Sequence, residues 1–140
     1  MAGIRARDTL PELIVRSGLH RRGFRFRLHV PALPGKPDIV FPSRRAVVFV
    51  HGCFWHGHDC RWFRMPTTRR KFWMAKIGAN RTRDLRSVTA LRKSGWRTMV
   101  VWECSFKSVP GVAREGVLNR IAEWVEAGKR STSIRGPSAR

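Results

Sequence analysis

Ala46-Val47-Val48-Phe49-Val50 is an unbroken apolar run of strand length, and the segment after it, His51-Gly52-Cys53-Phe54-Trp55-His56-Gly57-His58-Asp59-Cys60, holds three histidines and two cysteines. A strand that is apolar at every position has no face to give to water. It belongs at the centre of a sheet covered on both sides. The polar loop that leaves it is where chemistry concentrates, because loops on a rigid scaffold carry most functional side chains.

Upstream, Asp38-Ile39-Val40-Phe41 reads as a short strand turned by Pro42-Ser43, and Phe24 to Val30 alternates apolar and polar as a half-buried strand does. The Pro/Gly-rich stretch from Pro31 to Pro37 turns the chain between them. Thr9-Leu10-Pro11-Glu12 starts a helix: Thr9 caps it, Pro11 fits the first turn, and Glu12 completes a capping box. That helix is expected to run to about Gly18. Downstream, the pattern is helical from Thr68 to Ser94, with Ile77, Leu85, Val88 and Leu91 near helical spacing and Asn80 as a candidate break. Trp96 to Cys104 reads as another strand and Gly111 to Ala127 as an amphipathic helix. Residues 128–140 are polar and basic, a tail expected to be disordered. Helix, three strands, helix, strand, helix predicts an α/β fold with a mixed central sheet flanked by helices.

The 140 residues carry 29 basic and 9 acidic side chains, a net charge of +20, and 42% of them are hydrophobic. That content fills one core. Six Trp and eight Phe exclude a disordered basic tail protein. So positive a field captures polyanions, which points to nucleic acid, with an anionic membrane as the rival. No apolar run approaches a bilayer span, and Met1 to Leu10 lacks a signal-peptide core, so a cytoplasmic location is expected. Three cysteines in a reducing compartment argue for metal or free thiols.

Cys53, His58 and Cys60, with Cys104 at the end of a later strand, can close a tetrahedral zinc site. The bland alternative is a set of free buried thiols beside surface histidines. His51 and His56 are then available for acid–base work or for structural hydrogen bonds. Asp38, at the mouth of a strand, can hold Mg²⁺ for phosphodiester hydrolysis or serve only as a turn former. Phe54 and Trp55 are either a wedge for base stacks or a cover for the zinc site. Arg61, Arg64, Arg69, Arg70, Lys71, Arg81, Arg83 and Arg86 read as a phosphate-tracking face or as solvated surface.

Several uncommon words recur in order: Arg7-Asp8-Thr9-Leu10-Pro11-Glu12, Leu33-Pro34-Gly35-Lys36-Pro37-Asp38, Phe49 through His56, Phe72-Trp73 with Lys76-Ile77-Gly78-Ala79-Asn80, Arg83-Asp84, and Gly95-Trp96 with Val101-Trp102-Glu103-Cys104. In these the chain resembles, from about Met1 to Trp124, the very-short-patch repair (Vsr) DNA mismatch endonucleases of bacteria. The resemblance implies a Vsr-like domain over 1–127 with a restriction-endonuclease-like core, in which Phe49 and His51 take the region usually given to a second acid and a lysine. It implies a nick 5′ to the T of a T:G mismatch in double-stranded DNA. Carried over by position, Asp38 binds Mg²⁺ with the backbone carbonyl of Val50, and His56 is the catalytic base. Glu12 and His51 orient waters or the phosphate. Cys53, His58, Cys60 and Cys104 match structural Zn²⁺ ligands, and Phe54, Trp55 and Met1 match the wedge. Val50 stands where family members carry Thr, an exchange that a backbone carbonyl survives. Mismatch-repair proteins are the expected partners, and one active centre suffices for one nick, so a monomer is expected. Read without the resemblance, a zinc-containing DNA-binding module, a same-fold nuclease with another DNA target and a basic ribosomal protein are the alternatives.

Overall fold

The apolar run and the strand before it pair as an antiparallel hairpin, β2 (Ile39–Phe41) with β3 (Ala46–His51), Phe41 opposite Ala46. The computed structural model describes residues 9–61, 63–107 and 111–136. Pro42–Arg44 forms a short 3-10 turn between the two strands. β1 (Arg27–Leu28) pairs antiparallel with β2 on the outer side, and β4 (Arg97–Trp102) lies parallel to β3 on the other. β5 (Thr132–Ile134) adds parallel to β4, so the spatial order is β1-β2-β3-β4-β5. Three helices accompany the sheet among the described residues: α1 (Leu10–Arg21), α2 (Arg70–Lys93) and α3 (Gly111–Ala127). None is long and apolar enough to cross a membrane.

Period-two alternation decides which side chain meets which layer. Ile39, Phe41, Ala46, Val48, Met99 and Val101 meet Val15 and Leu19 of α1 and Leu118, Ile121 and Val125 of α3. Val40, Val47 and Phe49 pack with Leu91 and Val88 of α2. The sheet is therefore sandwiched, and β3 is apolar throughout because both its faces are covered. Each fully buried aliphatic here stabilises the fold by roughly 1.5–3 kcal/mol.

Five details differ from the sequence reading. α1 continues through Gly18 to Arg21, because a Cβ at Gly18 would lie 2.5 Å from Leu118 Cδ1: the glycine marks a close helix crossing, not a helix end. The Phe24–Val30 strand shrinks to Arg27–Leu28, since His29 takes a left-handed φ of 48°. α2 is one helix; Asn80 does not break it but donates from Nδ2 to the Trp55 carbonyl at 2.8 Å. Leu85 is not on a buried stripe and is 70% exposed. The tail is ordered over β5, where Ile134 is buried, Ser131 Oγ accepts from the Thr98 amide at 3.1 Å, and the strand covers the open edge of β4.

Candidate active site

Parallel pairing of β3 with β4 sets His51 opposite Trp102, so both strands end at the same edge. Cys53 lies two residues past the end of β3 and Cys104 two past the end of β4. The loop returns His58 and Cys60 to the same point, and the four ligand atoms of Cys53, His58, Cys60 and Cys104 lie within 4.8 Å of one another, all four residues buried. His58 Nδ1 faces Cys104 Sγ at 3.5 Å, and the three cysteines are free thiols. Burial pushes the Cys53 and Cys104 thiols up and the His58 imidazole down, as expected for soft donors taken from water without a cation. The Gly136 amide donates to Cys104 Sγ at 3.2 Å, and Cys53 donates its amide to Glu103 Oε1 at 2.9 Å. Gly57, at φ 59°, lets the loop settle on α2, where a Cβ would come within 2.6 Å of Ile77. Phe63 and Trp102 cover the thiols, and the His58 ring stacks on Trp102 at 3.9 Å. Phe54 stacks on Phe63 with ring centroids 6.1 Å apart.

Beside this clamp opens a cleft of about 720 Å³ lined by Asp38, Val50, His51, Trp55, His56 and Asp84, among others. Its acidic side is built from Glu12, His29 and Asp38, whose ligand atoms lie within 4.8 Å of one another. Asp38 Oδ2 accepts the Val50 amide at 2.7 Å. Burial raises the Asp38 carboxyl to about 7; the Val50 hydrogen bond works against this and the neighbouring Glu12 charge adds to it. Glu12 keeps the expected cap, its amide donating to Thr9 Oγ1 at 3.4 Å. Its carboxylate nevertheless turns inward, 1% exposed, with Oε2 2.6 Å from His29 Nε2 and 3.0 Å from Arg16 Nη1.

The other side holds His51, His56 and Asp84. His56 Nδ1 and Asp84 Oδ2 are directly hydrogen-bonded. The buried His51 ring is lowered to about 3, first by burial and then by His56 beside it. At the rim, Phe54, Trp55 and Trp73 pack edge to face with centroids 5.1–5.5 Å apart, and Arg69 lies over Phe72 at 4.3 Å. Arg61, Arg64, Arg69 and Arg70 are exposed, and Arg69 lines the cleft. Met1 lies outside the described residues.

Across 109 residues the chain is 56% identical to the type II nicking enzyme V.XorIIP of Xanthomonas oryzae pv. oryzae, covering 78% of this chain and 80% of that one. Residues 1–62 match the family described as DNA mismatch endonuclease Vsr. The chain belongs to the Vsr family. It is also 42% identical over 125 residues to the DNA mismatch endonuclease Vsr of Escherichia coli, covering 89% of this chain and 80% of that one. With the type II nicking enzyme V.NmeAIP of Neisseria meningitidis it shares 41% over 126 residues, 90% and 89% of the two chains.

In this Vsr chain the cleft gathers Asp38, Val50, His51, Trp55 and His56, with Glu12 buried behind its acidic side, all singled out from sequence, although Glu12 and Asp38 lie apart in the chain from the His51–Cys60 loop. Among the acids and histidines that line the cleft, His29 and Asp84 received no role from sequence. Asp84 had a signal, being the only acid in a helix crowded with Arg and Lys. His29 sat in an alternating stretch, where an imidazole looks like an ordinary polar position.

Proposed function

We propose that this Vsr-family protein is a Mg²⁺-dependent nuclease on a restriction-endonuclease-like core that nicks one strand of duplex DNA 5′ to the T of a T:G mismatch, starting very short patch repair. That it is a DNA endonuclease follows from its family. The observation that carries the finer reading is the convergence of Asp38, His51, His56 and Asp84 on one cleft rimmed by Trp55 and Trp73. A backbone phosphate fits between the acidic and imidazole sides, with the +20 charge drawing the duplex in.

Asp38 and the Val50 carbonyl hold the cation. The donor set suits it: hard oxygens, one of them on an acid whose carboxyl burial raises to about 7 against the opposing pull of the Val50 hydrogen bond. When bound, a divalent cation polarises the phosphate and lowers the pKa of a water. Asp84 holds the Nδ1–H of His56, leaving His56 Nε2 to accept the proton of the attacking water as its oxygen bonds to phosphorus; the ester P–O bond breaks, its electron pair leaves with the departing sugar oxygen, and that oxygen takes a proton from solvent. His51, neutral across the working range, offers a ring N–H to the phosphate instead of a charge.

Cys53, His58, Cys60 and Cys104 hold zinc, whose part is structural: four buried N/S donors leave no open position. Phe54 and Trp55 serve as the wedge, with Met1 from the N-terminal arm. Unstacking costs a few kcal/mol per step, and a wobble pair, being poorly stacked, lowers that cost before any base is read. A cytoplasmic monomer working beside mismatch-repair proteins is the setting this reading implies. The test is incubation with duplexes carrying T:G or C:G at one site, with and without Mg²⁺. Nicking of T:G alone, dependent on Mg²⁺, is expected; equal cutting of both duplexes overturns the mismatch assignment.

A further inference from the structure

His29 stands between the two acids of the cleft and no step above uses it. It is 7% exposed, and a left-handed φ of 48° ends β1 at this residue and turns its ring inward toward the acids. Its amide donates to the Asp38 main-chain carbonyl at 3.0 Å, which ties its backbone to that of the acid. Its ring Nε2 lies 2.6 Å from Glu12 Oε2 and 3.9 Å from Asp38 Oδ1.

Two roles fit an imidazole placed so: metal ligand through Nε2, or donor through Nε2–H. The other nitrogen decides between them. A ligating histidine ordinarily donates its second N–H to a carboxylate, carbonyl or water. His29 Nδ1 is buried and has no hydrogen-bond partner among the described residues. A ring proton there would be an orphaned buried donor, whereas on Nε2 it meets a carboxylate at close range. The proton therefore belongs on Nε2, and the ring is a donor.

We propose that His29 is a positioning residue: its Nε2–H fixes the buried Glu12 carboxylate beside Asp38 so that both acids face one divalent cation. While Asp38 keeps its proton the two acids bond each other; once a cation displaces that proton both are charged and repel, and an outside hold is needed. A lysine ammonium between them would hold them but compete with that cation. The ring N–H joins Arg16 on Glu12 Oε2, and the amide of the same residue fixes the Asp38 backbone through its main-chain carbonyl, which leaves the space between the two side chains open. The inference rests on the reading of Asp38 as the cation-binding acid.

The test compares His29→Leu, which keeps bulk and loses the donor, with His29→Gln, whose amide can restore it. Mn²⁺ binding to the full-length zinc-loaded protein without DNA is followed by the free-ion paramagnetic resonance signal, and kcat and KM are measured on the T:G duplex. His29→Leu is expected to weaken Asp38-dependent Mn²⁺ binding roughly tenfold, the scale of outer-shell metal supports, and to lower kcat with KM for DNA unchanged. His29→Gln is expected to regain most of both. Wild-type Mn²⁺ affinity in His29→Leu overturns the proposal, and so does a His29→Gln protein as impaired as His29→Leu, which makes the ring a ligand. Should His29→Leu fail to fold, His29→Asn replaces it: too short to reach Glu12, it must behave worse than His29→Gln. Mn²⁺ binding that ignores Asp38→Asn also overturns the proposal. Wild-type protein that binds Mn²⁺ through Asp38 yet leaves T:G duplexes intact overturns the proposed function and spares His29.

Discussion

His51 and His56 lie ring on ring, their centroids 3.8 Å apart and their planes within 2° of parallel. Burial first, and then the His56 ring beside it, lowers His51 to about 3. The unfolded chain takes up this proton near pH 6.5 while the folded chain refuses it, so stability falls as pH drops through that window. We expect wild-type protein to lose about 1–2 kcal/mol more than His51→Gln between pH 7.5 and pH 5. Urea unfolding at both pH values measures it; identical losses would remove the assignment.

Asp38 carries the opposite sign. Its folded value, about 7, lies above the unfolded 3.8, so its contribution is fully present below pH 3.8 and is lost as pH rises through 7. Asn at this position still accepts the Val50 amide and has no charge to bury. In metal-free buffer, Asp38→Asn should gain on wild type by about 1–3 kcal/mol from pH 4.5 to pH 8. Mg²⁺ should raise the wild-type melting temperature at pH 8 and leave the variant unmoved, and nicking should vanish in the variant. A variant that responds to Mg²⁺ as wild type does would place the cation elsewhere.

Asp84 acts through His56. Replacing its carboxylate with an amide leaves the size and loses control of which ring nitrogen carries the proton. Single-turnover nicking by Asp84→Asn is expected to fall roughly 10²–10⁴-fold, the range for a lost general base, with DNA affinity retained. A loss of affinity equal to the loss of rate would recast Asp84 as a DNA-positioning group.

The thiol clamp predicts one zinc ion per chain. Cys60→Ser should release it and lower the melting temperature by roughly 10 °C or more, since structural zinc is folding energy. The last described residues support the clamp from outside: Arg135 Nη1 donates to Asp59 Oδ1 at 2.6 Å, between His58 and Cys60, and the Gly136 amide reaches Cys104. Truncation after Ile134 should speed zinc loss to a chromogenic chelator roughly tenfold while barely changing the melting temperature. Unchanged release kinetics would make that segment a passive edge.

The central strand, the hairpin before it and the clamp were legible because each depends on local pattern: an all-apolar run, a Pro-Ser turn, ligand residues crowded into a decapeptide. Trp73 packing on Phe54 and Trp55 was not, because it joins a helix face to a distant loop. His29 and Asp84 were missed for the same reason. Their roles depend on partners 17 and 28 residues away. α2 misled because a helix that touches the sheet through Val88 and Leu91 has little apolar stripe to read. The tail misled because three residues need only one apolar plug, Ile134, to complete a sheet edge.

Between His51 and Cys60, cleft-facing and clamp-forming side chains are interleaved: His51, Cys53, Trp55, His56, His58, Cys60. Neither set can be moved without the other. A single inserted residue would shift imidazoles and sulfurs out of phase together, so this segment has no tolerance for length variation. Changes that retune target choice must then accumulate elsewhere, on the solvent-facing turns of α2 and the exposed arginines that precede it.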